Sequence, residues 1–310
     1  LYTSAALKDG NVHAVYSVTD IEVDIDGQTL DGSEIRHIEF PTDTAPGMIS
    51  ADPEVVHTAG PDNPCGACGS DESCFVATET CAKPAGDCGM GCADGLACHS
   101  GTCETTYKKP ETPAHRLMTG LYTELIPTAD GLSVVFYDHN RQQVGWTSSG
   151  AMGWEAPTFA GSRSGPYISG AVDANGELHL AYMDPTSKSL VYQPPGNTGP
   201  ETIDDGTRDA NGEYLVSAIG QDVDLWIDSS GTPQVTYQDA TRHILLSATR
   251  DAMGNWTVTP LAKPGGLDAY KGAHGFYSSN VAPEAGIAVE YVIDQQAESA
   301  EARLEVTKIE

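Results

Sequence analysis

Short runs in which apolar and polar residues alternate recur along this chain, each closing on a tyrosine and an aspartate. Such alternation is the signature of half-buried β-strands, whose successive side chains point to opposite faces. Five copies can be laid side by side: LYTSAALKDGNVHAVYSVTD (1 to 20), LYTELIPTADGLSVVFYD (121 to 138), PYISGAVDANGELHLAYMD (166 to 184), AIGQDVDLWIDSSGTPQVTYQD (218 to 239) and FYSSNVAPEAGIAVEYVID (276 to 294). The aligned tyrosines are Tyr16, Tyr137, Tyr182, Tyr237 and Tyr291, the last four lying 45, 55 and 54 residues apart. Inside the copies, Asp9-Gly10, Asp130-Gly131, Asn175-Gly176 and Ser230-Gly231 supply the positive φ that tight hairpins need. Each tyrosine run is followed by a third run (35 to 40, 144 to 148, 189 to 193, 243 to 249, 302 to 309). In places a fourth follows, such as 256 to 261. Helical periodicity is confined to a weak Glu/Ala stretch at 295 to 303.

A period near 50 built from short strands predicts an all-β chain, a β-propeller of about five blades, because a four-stranded blade buries its faces only against its neighbours. A β-sandwich also yields many short strands, but not a repeat of this length. The interval from Tyr16 to Tyr137 is far longer than one blade and contains every cysteine, so it predicts an insert. The domains read as a first blade at 1 to 60, a disulfide-rich insert at 61 to 106 and the remaining blades at 107 to 310. Counting strands leaves the fifth blade one short after the run at 302 to 309. The expectation is a bare edge, or an edge paired with residues upstream of Leu1 or with a second polypeptide.

The eight cysteines form two similar halves, Cys65-x2-Cys68-x5-Cys74-x6-Cys81 and Cys88-x3-Cys92-x5-Cys98-x4-Cys103. An even number packed this densely predicts disulfides, with bridges confined to each half and joining first to third and second to fourth cysteine. The competing reading is zinc on Cys65, Cys68, Cys88 and Cys92, which would leave four thiols unexplained. The second half, CADGLACHSGTC, resembles the C-x2-G-L-x-C-x2-G-x-C modules found in tandem in extracellular bacterial proteins. That resemblance implies a spacer or docking element.

Charge narrows the partners. Forty-four acidic against sixteen basic residues give a net charge of -28, which repels nucleic acid and anionic membranes at long range. No apolar run approaches the ~18 residues a membrane span needs. With the cysteines, this places the chain outside the cytosol, secreted or at the cell surface.

Candidate ligand-binding residues form a recurring motif of a basic residue, a spacer and a Gly-x-Tyr or similar ending, just before the first strand of each later blade. They are His115, Arg116 and Tyr122; Arg163 and Tyr167; Arg208 and Tyr214; and Lys271, His274 and Tyr277. Arg with Tyr suits carboxylates and acidic sugars. The alternative is that each Arg pairs with an acid and each Tyr packs between blades. His13 and His179 share one repeat position and could face the channel as a metal pair, or be satisfied strand histidines. The acidic run 21 to 34 nearly matches a calcium loop, with Glu22, Asp24, Asp26, Asp31 and Glu34 as ligands for Ca2+. It reads equally as a half-buried strand ending in an Asp26-Gly27 turn. Thr249-Arg250-Asp251-Ala252-Met253-Gly254-Asn255-Trp256 resembles the Asp-box of sialidase-like propellers, with the glycine one place late. The resemblance implies a blade hairpin away from an active site.

No G-x-S-x-G, H-E-x-x-H or P-loop pattern is present. The main expectation is a non-enzymatic binding or scaffolding propeller presenting loops to a glycan, peptide or partner subunit. The alternatives are a carbohydrate-active hydrolase of sialidase-like architecture and a metal-dependent oxidoreductase.

Overall fold

The computed structural model describes residues 3–25, 28–45, 47–49, 52–59, 72–75, 80–85, 88–89, 91–92, 96–106, 118–160, 164–196, 199–210, 213–262, 273–282, 287–294 and 301–308. The chain is an all-β propeller of five blades with a small disulfide-bonded insert. Blade one is the sheet β1 (Thr3–Lys8), β2 (Asn11–Ile25), β3 (Gln28–Pro41) and β4 (Glu54–Thr58), in that order. Blade two runs β9 (Leu121–Pro127), β10 (Leu132–Asp138) and β11 (Gln143–Gly150), with its outer position shared by the two-residue strands β12 (Gly153–Trp154) and β13 (Thr158–Phe159). Blade three is β14 (Ile168–Val172), β15 (Leu178–Asp184), β16 (Ser189–Gln193) and β17 (Glu201–Asp204). Blade four is β20 (Ile219–Ile227), β21 (Pro233–Asp239), β22 (Ile244–Arg250) and β23 (Trp256–Ala262). Blade five has three strands, β24 (Ala273–Ala282), β25 (Ile287–Asp294) and β26 (Glu301–Lys308). Among the described residues, the paired strands of the blades are antiparallel, as hairpin connections require.

Alternation explains how the blades stack. In β10 every residue is buried, and successive side chains serve different cores. Val134 and Phe136 join Val15, Ile35, Val56 and Leu125 in the core shared with blade one. Val135 joins Ile126, Ile168, Leu180 and Tyr182 in the core shared with blade three. A third core, around Tyr192, Ile219, Leu225 and Tyr237, lies between blades three and four. The apolar content of LSVVFY thus marks a strand buried on both faces.

Two features depart from the sequence reading. Strands β2 and β3 are 15 and 14 residues long, and the residues at the hairpin between them fall in a second compact unit. The second compact unit therefore comprises Asp20–Gly32 as well as Ala59–Leu117, whereas the sequence reading put residues 1 to 60 wholly in the first blade. An additional hairpin, β18 (Thr207–Ala210) and β19 (Glu213–Val216), separates blades three and four.

Within the second unit, two small hairpins pair cysteines across their strands. Cys74 faces Cys81 in β5 (Ser73–Phe75) and β6 (Thr80–Ala82), and Cys98 faces Cys103 in β7 (Leu96–His99) and β8 (Thr102–Thr105). In the second half Cys88 bonds Cys98 and Cys92 bonds Cys103, the first-to-third and second-to-fourth pairing that was expected. Cys81 is disulfide-bonded too, while Cys65 and Cys68 lie outside the described residues. Among the described residues, the one group close enough to hold a metal is Cys88, Cys92 and Cys103, whose sulfurs are already in disulfides; this removes the zinc reading there.

Candidate active site on the propeller axis

The first strands of all five sheets line one pocket of about 380 Å³. Its walls repeat in two tiers, because side chains two apart on a strand share a face. Tyr122, Tyr167, Asp222 and Tyr277 form one tier. Ser4, Glu124, Ser169, Asp224 and Ser279, each two residues further on, form the other. Tyr2, the counterpart in the first copy, lies outside the described residues.

The first tier shares an unusual backbone. Tyr122, Tyr167, Asp222 and Tyr277 have φ of 53°, 60°, 47° and 48°, in the left-handed region that costs a non-glycine residue free energy. Four blades hold the same strained conformation at the same position, all facing one pocket. The rings of Tyr122 and Tyr167 meet at 4.8 Å between centroids, and Tyr277 is 78% exposed.

The second tier braces neighbouring blades. The Leu125 N–H donates to Ser4 Oγ at 3.0 Å, the Gly170 N–H to Glu124 Oε2 at 2.9 Å, and the Leu225 N–H to Ser169 Oγ at 3.0 Å. Glycine at 170 permits this approach, since a Cβ there would lie 2.5 Å from Ile126 Cδ1. Ser169 Oγ lies 3.5 Å from Asp224 Oδ1 and is also a hydrogen-bond partner of the Glu124 carboxyl, so one hydroxyl sits between the tier's two acids.

Placing carboxylates where other blades carry serine changes the electrostatics. Enclosure by protein, followed by the charge of Asp224, pushes the Glu124 carboxyl up to about 8, against the pull of the Gly170 N–H and the Ser169 hydroxyl. Burial also raises Asp222, opposed by the Tyr277 backbone N–H. At neutral pH the part-buried Glu124 therefore carries a proton beside a second acid.

Of the residues expected at a binding face, Tyr122, Tyr167 and Tyr277 are brought together in this pocket. Tyr214 is not among them. It belongs to β19 of the additional hairpin, and Asp222 takes the tyrosine position in blade four. Arg208 lies on β18 and His274 on β24, both with only the backbone described. His115, Arg116, Arg163 and Lys271 lie outside the described residues. In the acidic run, Glu22 and Asp24 fall within strand β2 and Asp31 and Glu34 within β3, where the calcium reading needs a loop; Asp26 lies outside the described residues. Glu34 is held by Arg36, at 2.9 Å, and accepts from Thr58.

The histidines of the repeat, His13 on β2 and His179 on β15, are buried strand residues and do not line the axial pocket. His13 contacts His37, ring nitrogen to ring nitrogen at 3.2 Å, and His179 hydrogen-bonds the Tyr192 hydroxyl. The oxidoreductase reading rested on histidines in the channel and loses that basis. The Asp-box-like segment forms the expected hairpin between β22 and β23, with Asp251 accepting from the N–H groups of Met253 and Asn255, both at 2.8 Å. Sequence reasoning missed Glu124 and Asp224. Their signal was present: aligned at the inner strands, the copies read Ser, Glu, Ser, Asp, Ser two residues after the Tyr or Asp position.

No family model and no curated protein matches the sequence. Solved structures do. A family 43 glycoside hydrolase, a β-1,3-galactosidase, aligns with 97% of this chain and 55% of its own at 10% identity and a TM-score of 0.43. An α-L-arabinofuranosidase from Lactobacillus brevis aligns with 99% of this chain and 89% of its own at 14% identity and a TM-score of 0.42. A β-xylosidase/α-arabinofuranosidase of family 43 from a compost metagenome, in complex with xylotriose and in a calcium-free form, aligns with 99% and 89% at 11% identity and a TM-score of 0.40. The chain spans little more than half the length of the first. The expectation of a non-enzymatic binding propeller is corrected accordingly: the similar solved structures are glycoside hydrolases, and the axis of this chain carries an acid pair. At these values the likeness assigns neither a substrate nor a catalytic residue to the present chain.

Proposed function

We propose that the axial pocket hydrolyses a glycosidic bond, with Glu124 as general acid and Asp224 as its carboxylate partner. The observation that carries this is the position of Glu124: a carboxyl held protonated to about pH 8, next to a second acid, in a pocket ringed by tyrosines. Glycoside hydrolysis needs one protonated carboxyl to donate to the departing oxygen and one carboxylate to act on the anomeric carbon, directly or through water. Glu124 meets the first requirement because enclosure and the nearby negative charge disfavour its ionised form. Tyr122, Tyr167 and Tyr277 supply apolar ring faces with polar tips, which suit the alternating faces and hydroxyls of a sugar.

Neutral glycans are the substrate class favoured here. The described lining of the pocket contains Glu124, Asp222 and Asp224 and no lysine or arginine, so an acidic sugar would be repelled. The disulfides, and the absence among the described residues of any helix long and apolar enough to cross a membrane, support an extracellular site of action.

A turnover screen on aryl glycosides and on neutral and acidic polysaccharides tests the reading. The expected result is hydrolysis of a neutral substrate that falls by roughly 10²- to 10⁴-fold in Glu124→Gln, with a comparable loss in Asp224→Asn. Turnover that survives both substitutions in folded protein would remove the assignment.

A further inference from the structure

The edges of the propeller are protected unequally. In blade one the outer strand β4 has five residues, in blade two the outer position is split into two-residue pieces, and in blade three β17 has four residues. The outer strand of blade four, β23, contains Pro260. Short strands and proline are the usual means of blunting an edge against other chains. Blade five has neither. Its outer strand β26 is eight residues long, free of proline, and among the described residues pairs only with β25.

The sequence of β26 is suited to meeting itself. EARLEVTK carries two acids and two bases in a chain whose net charge is -28, so this edge is a neutral strip where a second copy can approach with least repulsion. Leu304 and Val306 are 64% and 70% exposed there. When two copies run antiparallel with Leu304 opposite Leu304, the register sets Arg303 of each copy opposite Glu305 of the other and Ala302 opposite Val306. Opposite charges and apolar pairs directly across two strands are the pairings that stabilise a sheet.

We propose that β26 is a self-pairing edge, through which two copies of this chain join the fifth blades into one continuous sheet about a two-fold axis at Leu304. The interface is small, so the dimer is weak and concentration-dependent. Pairing about a two-fold is closed, which ends growth at two copies.

Sedimentation across a wide concentration range tests this. The wild-type chain should pass from monomer to dimer, Arg303→Glu should abolish the dimer by setting two acids opposite each other, and the double variant Arg303→Glu/Glu305→Arg should restore it. Circular dichroism on each variant checks folding, and Val306→Lys gives a second disruption should Arg303→Glu fail to fold. A wild-type monomer at all concentrations, including one whose edge is covered by another segment of its own polypeptide, overturns the proposal. So does a dimer that Arg303→Glu and Val306→Lys both leave intact, or one that the charge exchange does not restore.

Discussion

Glu124 illustrates how one substitution in a repeat changes chemistry without changing structure. Its Oε2 accepts the Gly170 N–H as Ser4 Oγ accepts the Leu125 N–H, so the inter-blade brace is kept while a proton-holding group is added. The raised position of this carboxyl ties stability to pH. Below its ordinary value near 4.5 the group is protonated in both folded and unfolded chains, and its contribution is complete. From there to about 8 the unfolded chain ionises while the folded one holds its proton, so stability declines as pH rises. The limiting slope is about 1.4 kcal/mol per pH unit. Chemical denaturation at several pH values should show this decline between pH 5 and 8, reduced in Glu124→Gln; equal slopes in the two proteins would contradict the assignment. The Tyr237 side chain has a purely structural role by comparison. It is fully buried, and its hydroxyl donates to buried Asp204 at 2.6 Å. Tyr237→Phe should cost roughly 1–3 kcal/mol by removing a partner from a buried acid, measured by urea denaturation.

Strands and turns were the most legible elements, because each is determined by local chemistry. Asp-Gly, Asn-Gly and Ser-Gly pairs located the hairpins, and the third runs at 144 to 148 and 189 to 193 coincide with β11 and β16. The cysteine pairing of the second half was also legible, because both bridges stay within that half, at sequence separations of 10 and 11 residues. The additional hairpin β18–β19 was not visible, since its eight strand residues carry no repeat partner, and Tyr214 was assigned to the wrong place as a result. The Glu124 and Asp224 pair was also missed, because two polar residues 100 positions apart become neighbours only when the blades close around an axis. Packing between elements makes its own prediction at Gly145 of β11. A Cβ there would lie 2.7 Å from Phe136 Cζ and 2.8 Å from Phe159 Cε1, two rings with little room to move. Gly145→Ala should therefore destabilise by about 1–3 kcal/mol through overpacking between blades one and two, read as a lowered denaturation midpoint with an unchanged slope.

At the scale of the whole molecule, five sheets contribute one strand each to a common pocket, and the cores between blades hold those strands in place. A rigid frame of this kind can keep strained residues such as Tyr122 and Tyr167 in position around the pocket. The central claim is that this ring surrounds a working general acid. Its most direct test is the pH dependence of kcat/KM for hydrolysis of a neutral aryl glycoside. Because the acid must be protonated to act, activity should hold up to neutral pH and fall as pH rises through about 8, following the ionisation of Glu124. An alkaline limb near 4 to 5, or a limb near 8 that persists unchanged in Glu124→Gln, would contradict it.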